Sequence, residues 1–161
     1  MPYNHTQHGR WHYLLLIFSA ATLVAVWLTR REVGGWLIQR ELAVLDVLVV
    51  AAAIFALCGL VFGSLTITDE GDCLALRFGP LPLLRKTIRY ADITAVELGR
   101  TTILDGWGIH YMPGRGWTYN VWGFACVKLT LGRKIIRVGT DDAEGLVKVV
   151  REKAGLDELS G

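Results

Sequence analysis

The residues whose types and spacing suit chemistry are few. His5, His8 and His12 stand three and four residues apart, so a helical tail would place them on one face. Imidazole ligates zinc, but no carboxylate or cysteine accompanies them, and the flank of a polar tail is the plainer reading. His110 follows Asp105, yet no serine or cysteine nucleophile stands at motif spacing around it. Asp141 and Asp142 look like a catalytic carboxylate pair. Asp141 with Glu144 three residues on reads instead as a capping box opening a helix. Cys58, Cys73 and Cys126 have no CxxC spacing. Cys73 and Cys126 pair only if the fold brings them together. No nucleophile with its base, metal cluster or phosphate loop emerges. The chain therefore reads as a non-enzyme with no cofactor, metal or small-molecule substrate.

The stretch DGWGIHYMPGRGWTYNVWGF, residues 105–124, holds Trp107, Trp117 and Trp122, three of the six tryptophans, and five glycines. Strand residues alternate faces. Trp107, Ile109 and Tyr111 share one face, and Trp117, Tyr119 and Val121 share one face of the next strand. Both sets are expected to fill a core. The glycines permit tight turns and bent strands. His110, Arg115, Asn120 and Trp122 fall out of phase. They form the candidate protein-binding set, because an exposed aromatic beside an arginine is a common hot-spot composition. Trp122 resting on a membrane surface or under a loop is the plainer alternative.

Composition sets the frame. The 161 residues are 52% hydrophobic with net charge +2. That is too apolar for an ordinary soluble domain, and no basic run suits nucleic acid. Residues 11–29 and 47–68 carry no charge, and about 20 apolar residues cross a bilayer. We read spans at 11–29 and 43–64, with Trp11, Tyr13, Trp27 and Trp36 near their ends. Trp27-Leu28-Thr29-Arg30-Arg31 is a poor cleavage site, so the first span reads as an uncleaved anchor. Asp46 reads as an acid at a helix amino-terminus in preference to an intramembrane carboxylate. Arg30, Arg31 and Arg40 between the spans balance Arg10, Arg77 and Arg85 outside them, so the positive-inside rule leaves orientation undecided.

Beyond the spans, short β-branched and aromatic runs alternate with turns. Strands are predicted at 65–68, 73–78, 86–90, 94–98, 107–111, 117–122, 127–131 and 134–138. A helix follows Asp141, with Ala143, Leu146, Val147 and Val150 in one stripe and Gly155 at its end. The organisation is a polar tail over 1–10, a transmembrane hairpin over 11–64, a soluble domain over 65–155 and a polar tail over 156–161.

Three features of the soluble part resemble the bacterial pleckstrin-homology-like (PH-like) domain of small membrane proteins: IRYADI, the GWGI…YNVWG hairpin and GTDDAEGL. The resemblance spans residues 88–150. It implies a small barrel of two bent antiparallel sheets, capped by the carboxy-terminal helix. It also implies a multi-pass protein of the bacterial inner membrane with this domain in the cytoplasm, and it is nearly silent on activity. Eukaryotic relatives read phosphoinositides through a basic first hairpin, whereas this one reads Asp69-Glu70-Gly71-Asp72, which repels phosphate. The expected function is an adaptor or assembly component that holds a protein partner, or another copy of itself, at the membrane. The alternative is a sensor of anionic lipid surface through Arg85, Lys86 and Arg89.

Overall fold

The computed structural model describes residues 2–33, 39–80, 83–102 and 107–156. Trp36, Pro82, Asp105, Gly106 and the tail after residue 156 lie outside the described residues.

Two apolar stretches form α1 (Trp11–Val33) and α2 (Gln39–Val61). Both are long and apolar enough to cross a membrane, and only 11% and 17% of their apolar windows are buried. The core helix of a soluble protein would be mostly covered. Buried positions recur every seven residues at Ser19 and Val26 on α1 and at Leu45, Ala52 and Gly59 on α2, and Val61 at the end of α2 is buried in the core of the sheets. That repeat keeps one seam of each helix facing the other, and small residues let the backbones approach. The Ser19 hydroxyl donates to the Ala52 carbonyl at 2.8 Å across this seam. Asp46 pairs with Arg30 at the far end of the hairpin, so the two charges between the helices satisfy each other.

The amino-terminal residues are not a free tail. Asn4–His8 is a strand, β1, paired antiparallel with β2 (Ser64–Asp69) from Asn4↔Thr68 to His8↔Ser64. The Gly9 N–H continues the ladder to the Gly63 carbonyl at 2.9 Å. The helical hairpin is thus inserted between two paired strands, with two residues joining each helix to its strand. Tyr3, His5 and Gln7 point the same way and reach Asp142, Asp141 and the Trp122 carbonyl.

Sheet A runs β1-β2-β3-β4, with β3 at Cys73–Phe78 and β4 at Leu84–Arg89. Tyr90–Asp92, a short 3-10 helix, leads to β5 (Ala95–Arg100). Sheet B runs β5-β8-β9-β7-β6, with β6 at Gly108–Met112, β7 at Gly116–Asn120, β8 at Ala125–Leu131 and β9 at Lys134–Gly139. Two expectations are corrected here. The sheets do not close into a barrel, and sheet B is not wholly antiparallel, because β7 pairs β9 in parallel.

The inner faces meet in a core that includes Leu65, Ile67, Leu76, Phe78, Val127 and Leu129. Helix α3 (Ala143–Lys153) packs on β5 and β8 and buries Leu146 and Val150 completely. Its cap is Asp142, one residue later than expected, whose carboxylate accepts from the Gly145 N–H at 3.1 Å. Asp141 is exposed and faces His5. Helix α3 is tied to sheet A by Tyr3 on Asp142 at 3.1 Å and by Lys153 on Asp69 at 3.2 Å. Burial would raise the Asp69 pKa. The Gly71 N–H, Lys153 and the Tyr90 hydroxyl outweigh it and hold the carboxyl below its usual range. None of the three cysteines is in a disulfide; Cys126 is buried, and Cys58 and Cys73 are half-buried.

Candidate functional site

Where β4 passes the β7–β6 edge, the sheets part and leave a cleft. Its walls follow from the registers. On β4, Leu84, Lys86 and Ile88 lie opposite Phe78, Leu76 and Leu74, all of which face the core. Ile88 is buried, whereas Leu84 and Lys86 are exposed. On the facing wall, Ile109 and Tyr111 of β6 lie opposite Tyr119 and Trp117 of β7, and Trp117 lies opposite Ile136 of β9. The aromatic rings form a ladder, with Tyr111–Trp117 centroids 5.5 Å apart and Trp117–Tyr119 centroids 6.4 Å apart. Inward alternation was therefore read correctly, but burial was not: Tyr111 is 57% and Trp117 44% exposed, while Tyr119 is only 8% exposed.

The cleft encloses about 530 Å³. A second hollow of about 310 Å³ shares Lys86, Trp117 and Tyr119 with it and extends over Leu83, Leu84 and Phe78. Lys86 enters from β4, and Arg133 and Lys134 come from the tight β8–β9 turn. None of these three cations is in an ion pair among the described residues. The described lining of the main cleft has no carboxylate, histidine or thiol. Burial pushes the Tyr119 phenol up, which keeps it a neutral hydroxyl. The arrangement can hold an anion against an aromatic wall. It offers no proton acceptor for catalysis.

The lipid-surface set is split by this geometry. Arg85 lies on the opposite face of β4 from Lys86. With Arg77 it grips Glu70, each at 2.5 Å. Burial would raise the Glu70 pKa, but the two guanidiniums outweigh it and lower it. Arg89 binds Asp92 through both Nε and Nη2, at 2.9 and 3.1 Å. Of the three, Lys86 alone lines the main cleft, while Arg85 borders the second hollow.

The protein-binding set does not assemble either. Asn120 is fully buried. Its carbonyl accepts from the Trp122 N–H at 3.1 Å, and its amide donates to the Gly123 carbonyl at 3.0 Å. A Cβ at Gly139 would lie 2.2 Å from the Asn120 Oδ1, so only glycine admits this side chain. Trp122 is half-buried and stacks on Trp107, with centroids 5.5 Å apart and planes 13° apart. Arg10 lies 5.9 Å from its ring. Trp107 in turn meets Trp11, at the start of α1, at 5.2 Å. These rings brace the domain against the foot of the helical hairpin. His110 is half-buried and lies opposite the fully buried Thr118, on the face of β6 away from Tyr111. Arg115 sits in the β6–β7 turn, where its carbonyl accepts from Arg137.

The histidines separate as well. His5 and His8 are on a strand, and His12 Nδ1 is 2.5 Å from the Gly9 carbonyl oxygen. Gly108, Gly114, Gly116 and Gly123 all have positive φ, which answers why glycine is concentrated beside the tryptophans: it makes the bends of the β6–β7 hairpin and its exit. Sequence reasoning missed Arg133 and Lys134 because they stand in a two-residue turn, where charge is ordinary. The usable signal was the alternation that puts Lys86 opposite in direction to Arg85. No protein-family model matches this chain, and no curated protein matches its sequence.

Proposed function

We propose that this chain is a non-enzymatic binding module held in the bacterial inner membrane by α1 and α2. It carries a PH-like domain on the cytoplasmic side and binds its ligand in the cleft at the β7–β6 edge. The observation that carries this reading is the cleft itself: three unpaired cations beside an exposed aromatic ladder. The described lining of the cleft holds no carboxylate, histidine or thiol, which favours binding over catalysis. Two facing sheets with a carboxy-terminal helix across one edge support the PH-like reading. The short joints between helices and strands hold the cleft at a fixed place relative to the membrane.

A protein partner is the second reading, so the adaptor function stays open. It is favoured by Tyr111 and Trp117 at the cleft, since large half-exposed aromatics dominate binding hot spots. Photo-crosslinking from Trp117 in native membranes tests both. A benzophenone amino acid there is expected to give a discrete adduct, while the same probe at exposed Leu98 on β5 gives none. Equal, diffuse labelling from both positions would remove the cleft as a binding site.

A further inference from the structure

We infer that the cleft takes one anionic phospholipid from the adjacent leaflet, with its phosphate on Lys86, Arg133 and Lys134 and its apolar part leaving over Leu84 and Leu83. This inference rests on the binding reading above and names its ligand. It differs from adsorption to a charged surface, because the arginines suited to adsorption, Arg85 and Arg89, already hold carboxylates.

Three observations support it. First, the site is graded along one line. One part carries the cations Lys86, Arg133 and Lys134, whereas the adjoining part is lined mainly by Phe78, Leu83, Leu84, Ile109, Trp117 and Tyr119, with Lys86 at the junction and Arg85, whose guanidinium is held by Glu70, beside it. A free anion needs only the first part, and an apolar molecule only the second. A phospholipid has both, in that order.

Second, the apolar part opens beside the membrane foot. Phe78, opposite Leu84 in the ladder, packs edge-on against Phe62 at 5.8 Å, and Phe62 directly follows α2. A Cβ at Gly79 would lie 2.6 Å from the Leu60 carbonyl oxygen, so the start of the β3–β4 loop touches the end of the helix. Leu83, which lines the second hollow, is 63% exposed.

Third, the volume suits a headgroup and part of a chain. About 530 Å³ and about 310 Å³ fall within the usual range for small-ligand sites. They are too small for a whole two-chain lipid, whose tails would stay in the bilayer.

The test uses the full-length protein in phosphatidylcholine nanodiscs containing phosphatidylglycerol with a diazirine near the head of one acyl chain. Labelled peptides are then mapped. Labelling is expected at Leu83–Lys86 and Trp117, falling at least fivefold in Lys86→Gln/Arg133→Gln/Lys134→Gln and unchanged in Arg89→Gln, which lies outside both hollows. All three cleft cations are exposed, so the triple variant should fold, and its unfolding midpoint is compared with wild type. Lys86→Glu alone should lose most of the labelling. Equal cleft labelling by the phosphatidylcholine probe, or labelling indifferent to the triple variant, would overturn the inference. Complete displacement by millimolar glycerol phosphate would also overturn it, by assigning the site to a soluble phosphate. A protein adduct from Trp117 without lipid labelling would leave the binding module standing and remove only the lipid.

Discussion

The two edges of sheet B start from the same pattern and end differently. At the β5–β8 edge, α3 covers the inner face, and Leu146 and Val150 have no exposed surface. At the β7–β6 edge nothing in the described structure covers it, and Tyr111 and Trp117 stand half open to solvent. Alternation along a strand decides which way a side chain points. It does not decide whether another element arrives to bury it. The covered edge is also pinned by polar contacts to sheet A, through Tyr3 on Asp142 and Lys153 on Asp69. The open edge keeps its cations unpaired. One edge is built to hold the domain together, and the other is left available.

The largest expected effect separates the edges directly. Leu146→Ala leaves a cavity under α3 and should cost about 2–5 kcal/mol. Trp117→Ala removes a larger side chain but leaves no sealed cavity, and should cost about 1 kcal/mol or less. Chemical unfolding of both variants in one detergent checks this. Equal losses would mean the cleft wall is core after all.

A smaller effect tests how the covered edge is pinned. Asp142→Ala removes the cap of α3 and should cost about 1 kcal/mol. It also takes away the carboxylate that accepts from the Tyr3 hydroxyl. Asp141→Ala removes only an exposed partner of His5 and should cost about 0.5 kcal/mol or less. The reverse order would return the cap to Asp141, where spacing alone had put it.

Much of the fold was legible because it is written in local pattern. The third strand matched its expected residues, 73–78, and the others matched to within a few positions. Strand β1 was illegible because Asn4–His8 has no apolar residue. Its partners lie about 60 residues away across the helical hairpin, and the contacts of Tyr3, His5 and Gln7 lie more than 100 residues away. The parallel β7–β9 pair was illegible because nothing in either strand marks its neighbour. The site was least legible. Asn120 read as exposed because it is polar and out of phase, yet the bare backbone of Gly139 makes room for it inside. Arg85, Lys86 and Arg89 read as one basic group because they are close in sequence, but a strand sends its neighbours to opposite faces.

The smallest expected effect is a pH dependence of the covered edge. Asp69 is 7% exposed and receives Lys153, the Tyr90 hydroxyl and the Gly71 N–H. Its folded pKa therefore lies below the unfolded value of about 3.9. A depressed carboxylate contributes stability that is complete above the unfolded value and fades as pH falls through the folded one. Wild type should therefore lose stability below about pH 4, and Asp69→Asn should lose less over the same range, since its amide does not titrate. Glu70, also depressed, adds to the slope in both proteins and cancels in the comparison. Cleft variants such as Lys86→Gln should leave the acid slope at its wild-type value, because the cleft holds no depressed carboxylate among its described residues. If Lys86→Gln flattened the acid limb as much as Asp69→Asn, the two edges would be coupled, and the cleft could not be treated as a region set apart from the covered edge.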